Sequence, residues 1–214
     1  MKIPLCYPIL DADSLRGSAE EGRLLQATCS HALALAEAGC TLMQYRAKQI
    51  NVREALAQAR ELRRLLPGIT LIMNDRADLG LAAGFDGVHI AQDDLSPEGA
   101  RRVVGAERIV GLSAHNSTQI IEALTKPIDY LMIGPVFERG SKPNSEPLVR
   151  MAGVTEARRL RDESGRMLPL VAIGGITPVN AEAVLKAGAD SVAVSSGVFF
   201  SSNESVKKFF QLGK

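Results

Sequence analysis

Eight short apolar runs alternate along this chain with stretches of helical periodicity, and that alternation restricts the fold more than any other feature. The strand-like runs lie near Ile3–Leu10, from Thr41, and at Ile69–Met73, Gly87–Ile90, Arg108–Leu112, Asp129–Ile133, Leu168–Ile173 and Ser191–Val194. Between them, Leu24, Ala27, Ala32, Leu35 and Ala36 recur at helical spacing, and Val52 to Leu66 repeats the signal before Pro67-Gly68 stops it. Further helices are expected at Asp78–Ala83, Pro97–Val104, Thr118–Leu124, Val154–Glu163 and Asn180–Ala187, with one more at the C-terminus. Ala-Gly pairs at 38–39, 83–84 and 187–188 close helices just before strands. Strictly alternating strands and helices build a parallel sheet. A flavodoxin-like open sheet needs only five or six strands, so eight point to a closed α/β barrel, (β/α)8. With 214 residues, 46% of them hydrophobic, the chain suits one such barrel, read as a single domain over residues 1–214.

Net charge gives no sign of a polyanionic partner: 25 Lys and Arg stand against 24 Asp and Glu, so neither nucleic acid nor an acidic membrane surface is expected. Cys6, Cys29 and Cys40 are odd in number and lack metal-ligand spacing, which suits core filling in a reducing compartment. No run reaches the roughly 18 apolar residues of a membrane span, and a soluble cytoplasmic protein is the expectation. Association into a homo-oligomer stays open.

Almost every run ends in polar residues that packing does not require. At the carboxyl ends of parallel barrel strands such residues converge on one rim, where barrels of this kind do chemistry. In Gln44-Tyr45-Arg46-Ala47-Lys48 three polar side chains sit two apart and share one face if extended, so two cations can hold a polyanion. Asn74-Asp75-Arg76 and Gln92-Asp93-Asp94 place carboxylates after neighbouring strands. Asp75 and Asp94 are either helix N-caps or the oxygen ligands of a Mg²⁺ that bridges to substrate phosphates. Asp93 reads as their solvent-facing neighbour. Ser113-Ala114-His115 puts two more polar groups on one side of a strand end, where His115 is either a general acid–base or a hydrogen-bonded wall. His89, inside an apolar run, reads as a satisfied core histidine, and His31 as a helix-surface residue.

Small residues follow the last two strands, Gly174-Gly175 and Ser195-Ser196-Gly197. Loops there that let backbone N–H groups approach an anion form a recurrent phosphate site of barrels, so a phosphorylated small molecule is expected; glycines needed only for tight turns are the bland alternative. The one long connection, about Pro135 to Gly153, carries Arg139-Gly140-Ser141-Lys142, either a loop that closes over bound anion or a solvated turn.

Together these segments resemble the thiamine phosphate synthase family from about Tyr7 through the final helix. The resemblance rests on Met43-Gln44-Tyr45-Arg46-Ala47-Lys48, Asn74-Asp75-Arg76-Ala77-Asp78-Leu79, Gly87-Val88-His89-Ile90-Ala91-Gln92-Asp93-Asp94-Leu95, Gly111-Leu112-Ser113-Ala114-His115, Gly134-Pro135-Val136-Phe137 and Ala172-Ile173-Gly174-Gly175-Ile176-Thr177. It implies a Mg²⁺-dependent transferase on a (β/α)8 barrel that joins a pyrimidine methyl diphosphate to a thiazole phosphate, or its carboxylated form, and releases diphosphate. Gln44, Arg46, Lys48, Asn74 and Lys142 would bind the pyrimidine diphosphate, Ser113 would approach the pyrimidine ring, and Asp75 and Asp94 would bind Mg²⁺. Gly175, Ser195 and Ser196 would receive the thiazole phosphate with part of Arg139, Gly140 and Ser141. Arg46, Lys48, Ser113 and Lys142 would be the catalytic set.

The chain departs from the family pattern where Glu138-Arg139-Gly140-Ser141-Lys142 replaces the usual Pro-Thr-x-Thr-Lys, where Ala91 replaces Gly, and where Ser195 replaces an aliphatic residue. Two rival readings follow. A thiazole phosphate tautomerase would use His115 for proton transfer, but it has no use for Lys48, Asp75, Asp94 and Lys142 together, and such relatives carry His where this chain has Pro135. A non-catalytic phosphate-sensing barrel draws on the altered loop, since fold alone does not fix function.

Overall fold

A computed structural model describes residues 2–16, 23–138, 146–195 and 208–210. Eight parallel strands close in sequence order: β1 (Cys6–Asp11), β2 (Leu42–Arg46), β3 (Thr70–Asn74), β4 (Gly87–Ile90), β5 (Ile109–Ala114), β6 (Tyr130–Ile133), β7 (Leu170–Ile173) and β8 (Ser191–Val194), with β8 paired back onto β1. The helices are α1 (Ala12–Arg16), α2 (Leu24–Glu37), α3 (Val52–Leu65), α4 (Ala77–Ala82), α5 (Pro97–Val104), α6 (Ser117–Ala123), α7 (Arg150–Glu163) and α8 (Ala181–Lys186). Residues 208–210 are helical, and the rest of the expected C-terminal helix lies outside the described residues. Among the described residues no helix is long and apolar enough to cross a membrane.

Local chemistry starts the helices where the periodicity indicates. Asn51 accepts from the Glu54 N–H at 2.9 Å while its own amide donates to the Glu54 carboxylate at 3.2 Å. Ser96 caps α5 ahead of Pro97, and Asn116 caps α6; such caps are each worth about 1 kcal/mol. The fold corrects the sequence reading in three places. The short helix α1 was not anticipated. Helix α7 begins at Arg150 rather than Val154, because Gly153 packs against Val149, only 2.7 Å from where a Cβ would stand, instead of breaking the helix. Strand β2 ends at Arg46, so Lys48 is not part of one extended face.

Alternate strand residues form two cores. Outward residues such as Met43, Tyr45, Leu71, Val88 and Leu131 pack beneath the helices. Inward ones, among them Tyr7, Ile9, Leu42, Ile72, Tyr130, Met132, Val171 and Ala193, fill the barrel. The three free cysteines are buried, as filler should be, and burial raises the Cys40 thiol to about 12.

One device repeats at the amino end of the barrel. Asp86, Asp129 and Asp190 each stand just before an even-numbered strand, donate their backbone N–H to the preceding strand (Leu71, Val110, Leu170) and accept that residue's own N–H on the side chain, at 2.7, 2.7 and 2.8 Å. Each carboxylate also receives a helix arginine: Arg63 from α3, Arg101 from α5 and Arg161 from α7. This clamps β3 to β4, β5 to β6 and β7 to β8 and ties each pair to its helix. Asp129→Ala strands the Val110 N–H and takes the carboxylate from Arg101, which keeps only backbone carbonyl acceptors, so it should destabilise the barrel by about 2 kcal/mol. Urea unfolding should show a lower midpoint at unchanged slope; an unmoved midpoint would mean that the clamp does not stabilise the barrel.

Candidate active site

Asp75 follows β3 in the left-handed region, with φ 62°. Few non-glycine residues tolerate this conformation, Asp and Asn best among them, and such residues concentrate at functional sites. The turn is fixed by the Asp75 N–H donating to the His89 carbonyl at 2.8 Å, across to β4. Asp94 accepts the Ala91 N–H at 2.7 Å, which folds the loop after β4 back toward Asp75. Helix capping occupies neither side chain: α4 has no side-chain cap, and α5 is capped by Ser96. The two acids face each other instead. Burial raises the Asp94 carboxyl above the usual carboxylate range, and the neighbouring Asp75 adds to this, while the Ala91 N–H and Lys48 oppose it. Lys48 Nζ stands 2.9 Å from Asp75 Oδ2. Asp93 is exposed, as expected.

Arg46, the last residue of β2, points to the rim and donates to Asp11 at 2.9 Å and Asp13 at 3.3 Å. Asp13 also accepts the Lys48 and Gln49 N–H groups, at 2.8 and 3.0 Å, and so shapes the turn that carries Lys48. Sequence reasoning missed both acids. The signal was present, since Asp11 ends the first apolar run just as Asn74 ends the third. Asn74 closes β3, half-buried and paired in register with His89.

Inside the barrel a polar chain links two expected site residues. Gln44, buried on β2, donates to the Tyr7 hydroxyl at 3.1 Å; Tyr7 and Tyr130 hydroxyls are 2.8 Å apart. His89 contacts Tyr130 through Nδ1 and Ser113 Oγ through Nε2, both at 2.9 Å. As read from the sequence, His89 is a satisfied buried histidine, and burial lowers its pKa to about 4. Burial likewise pushes both tyrosines well above their ordinary range. Only glycine fits at 111, where a Cβ would come 2.0 Å from the Tyr130 ring. His115 points Nδ1 at the Gly134 carbonyl, 2.6 Å away, beside the cis Gly134–Pro135 bond.

After β7, Gly174 and Gly175 both have positive φ, and Cβ atoms there would come 2.6 Å from Pro135 Cα and from the Glu138 carbonyl oxygen. Backbone crowding by the β6 loop therefore demands these glycines, which is more than a tight turn requires. Ser195 follows β8, half-buried. Arg139, Gly140, Ser141, Lys142 and Ser196 lie outside the described residues.

The profile of the thiamine monophosphate synthase family matches residues 15–198. The chain belongs to this family. A thiamine-phosphate synthase of Koribacter versatilis is 48% identical over 214 residues, covering 99% of this chain and 97% of that protein. One from Agrobacterium fabrum is 42% identical, covering 80% of this chain and 79% of its own. Among solved structures, the thiamine phosphate pyrophosphorylase of Pyrococcus furiosus superposes with a TM-score of 0.80 at 28% identity, covering 96% of this chain and 93% of that one. In this member of the thiamine monophosphate synthase family, the acid pair and its lysine lie between the ends of β2, β3 and β4, while Ser113 lies one strand further on.

Proposed function

We propose that this chain is a thiamine-phosphate synthase, joining a pyrimidine methyl diphosphate to a thiazole phosphate with release of diphosphate. The observation that carries the reading is the facing pair Asp75 and Asp94, with Lys48 against it and Arg46 on the adjacent strand. A proton-transfer enzyme on the same barrel has no use for that collection of charge.

The acid pair fits a divalent ion. Asp75 adds to the cost of ionising the partly buried Asp94, and among the described residues no third acidic or histidine ligand joins them. Mg²⁺ suits such a site because it keeps several waters and is shared with substrate phosphates. Asp75 and Asp94 would hold it, and it would supply charge neutralisation on the departing diphosphate.

The chain's own residues do the rest. Arg46 and Lys48 face the same rim and stabilise the negative charge that develops as the methylene carbon–oxygen bond breaks, its electron pair leaving with the diphosphate. Lys142 would add a third cation. Electron donation from the pyrimidine amino group supports the resulting cation, Ser113 orients the ring, and the thiazole nitrogen's lone pair then forms the new carbon–nitrogen bond. Gly175, Ser195 and Ser196 would hold the thiazole phosphate with Arg139, Gly140 and Ser141, so that holding two substrates in line is most of the protein's contribution.

Gln44 projects into the barrel just below Arg46, and the reading assigns it to the pyrimidine diphosphate. Gln44→Ala should weaken binding of that substrate by about tenfold, the cost of one well-formed hydrogen bond to a charged group, while leaving thiazole phosphate binding unaltered. Calorimetric titration with each ligand checks this; an unchanged pyrimidine diphosphate isotherm would mean that Gln44 only supports Tyr7.

A further inference from the structure

The interior chain has a direction. Tyr7 and Tyr130 are wholly buried, so each hydroxyl proton needs an acceptor within the protein. The Gln44 amide donates to the Tyr7 oxygen, so the Tyr7 proton goes to the Tyr130 oxygen, its one remaining partner among the described residues. The Tyr130 proton in turn goes to His89 Nδ1. A neutral imidazole that accepts at Nδ1 carries its proton on Nε2 and donates it to Ser113 Oγ. The reverse direction would give the Tyr7 oxygen two donors and leave its own proton without an acceptor. Packing holds the relay in place: the imidazole stacks on the Tyr130 ring with centroids 5.5 Å apart and planes 21° apart, Tyr7 meets Tyr130 edge-on, and Gly111 leaves room for the phenol. The Gln92 amide donates to the Ser113 carbonyl at 2.6 Å and fixes its backbone as well.

We infer that His89 is a positioning residue that, by donating from Nε2 to Ser113, turns the serine's own proton outward, so that Ser113 selects a substrate ring bearing an unprotonated acceptor nitrogen. Ser113 is half-buried and thus open to the rim. A hydroxyl whose oxygen already accepts from His89 offers a donor first, and a donor discriminates a ring nitrogen from a C–H or an N–H at the same position. The unused core histidine thereby becomes part of substrate selection. The inference rests on the synthase reading for the identity of the ring.

Two measurements test it, the first without substitution. In protein carrying ¹⁵N-labelled histidine, the His89 resonances should report the proton on Nε2 throughout neutral pH; a proton on Nδ1 would reverse the chain and overturn the inference. Second, turnover is compared for wild type, His89→Leu, Ser113→Ala and the double variant, with the pyrimidine diphosphate and with its analogue in which a ring nitrogen is replaced by C–H. His89→Leu should lower kcat/KM for the natural ring about tenfold, His89→Gln should recover most of that loss, and His89→Leu should cost less than twofold once Ser113 is alanine. Wild type should disfavour the analogue at one ring position, and Ser113→Ala should not. Additive losses, or equal discrimination by both proteins, would overturn the inference while leaving the synthase reading intact. A wild-type protein that releases no diphosphate would instead refute the synthase reading, and the resonance assignment would still decide the direction of the chain.

Discussion

Asp75→Asn should lower Mg²⁺-supported diphosphate release by about 10³-fold, equivalent to about 4 kcal/mol of transition-state stabilisation. The fold should survive, because asparagine also tolerates the left-handed backbone at φ 62°. What is lost is one of the two carboxylates of the facing pair and the charged partner of Lys48. Asp75→Gly sharpens the same test. Glycine adopts this conformation without strain, so the variant should be as stable as wild type, or more so, yet equally inactive. Steady-state assays at saturating substrates beside thermal melts separate these outcomes. A variant that turns over at the wild-type rate would take the acid pair out of the chemistry.

Acid should destabilise this barrel through His89. The folded imidazole titrates near 4 because burial disfavours its charged form, with Asp94 opposing; the unfolded one titrates near 6.5. Between those values the unfolded chain holds more protons, so stability rises with pH. The contribution is complete above about pH 6.5 and is lost as pH falls to about 4, amounting to about 3 kcal/mol. The raised carboxyl of Asp94 acts in the opposite sense, favouring the fold in acid. Comparing wild type with His89→Gln isolates the histidine: denaturant unfolding at pH 7 and pH 4.5 should show a steeper loss for wild type. Parallel losses in the two proteins would mean that His89 is not held neutral.

The barrel was legible because each βα unit writes its own period, and eight repetitions leave few alternatives. The errors fall where local signals are weak. Helix α1 has five residues, too few to display a periodicity. Gly153 reads as a stop, yet it serves a close helix contact. The pairing of Asp75 with Asp94 was legible because both follow neighbouring strands at similar offsets, and adjacency in a parallel barrel brings such positions together. Sequence could not decide whether the two acids cap helices, since that turns on side-chain direction, which the left-handed Asp75 backbone and the Ala91 N–H determine. The tyrosines in the interior chain were invisible for another reason. In an apolar run a tyrosine reads as core, and only the closed barrel shows that its hydroxyl must find a partner inside. Asp11 and Asp13 escaped notice because they border the short helix that periodicity did not reveal.

The metal-assisted synthase mechanism is tested most directly by incubating the protein with Mg²⁺, the pyrimidine methyl diphosphate and the thiazole phosphate together, with diphosphate and thiamine phosphate quantified over time. It predicts the two products in equal amounts, and none when the metal is chelated. Isomerised thiazole without diphosphate, or no product from either substrate, would contradict it.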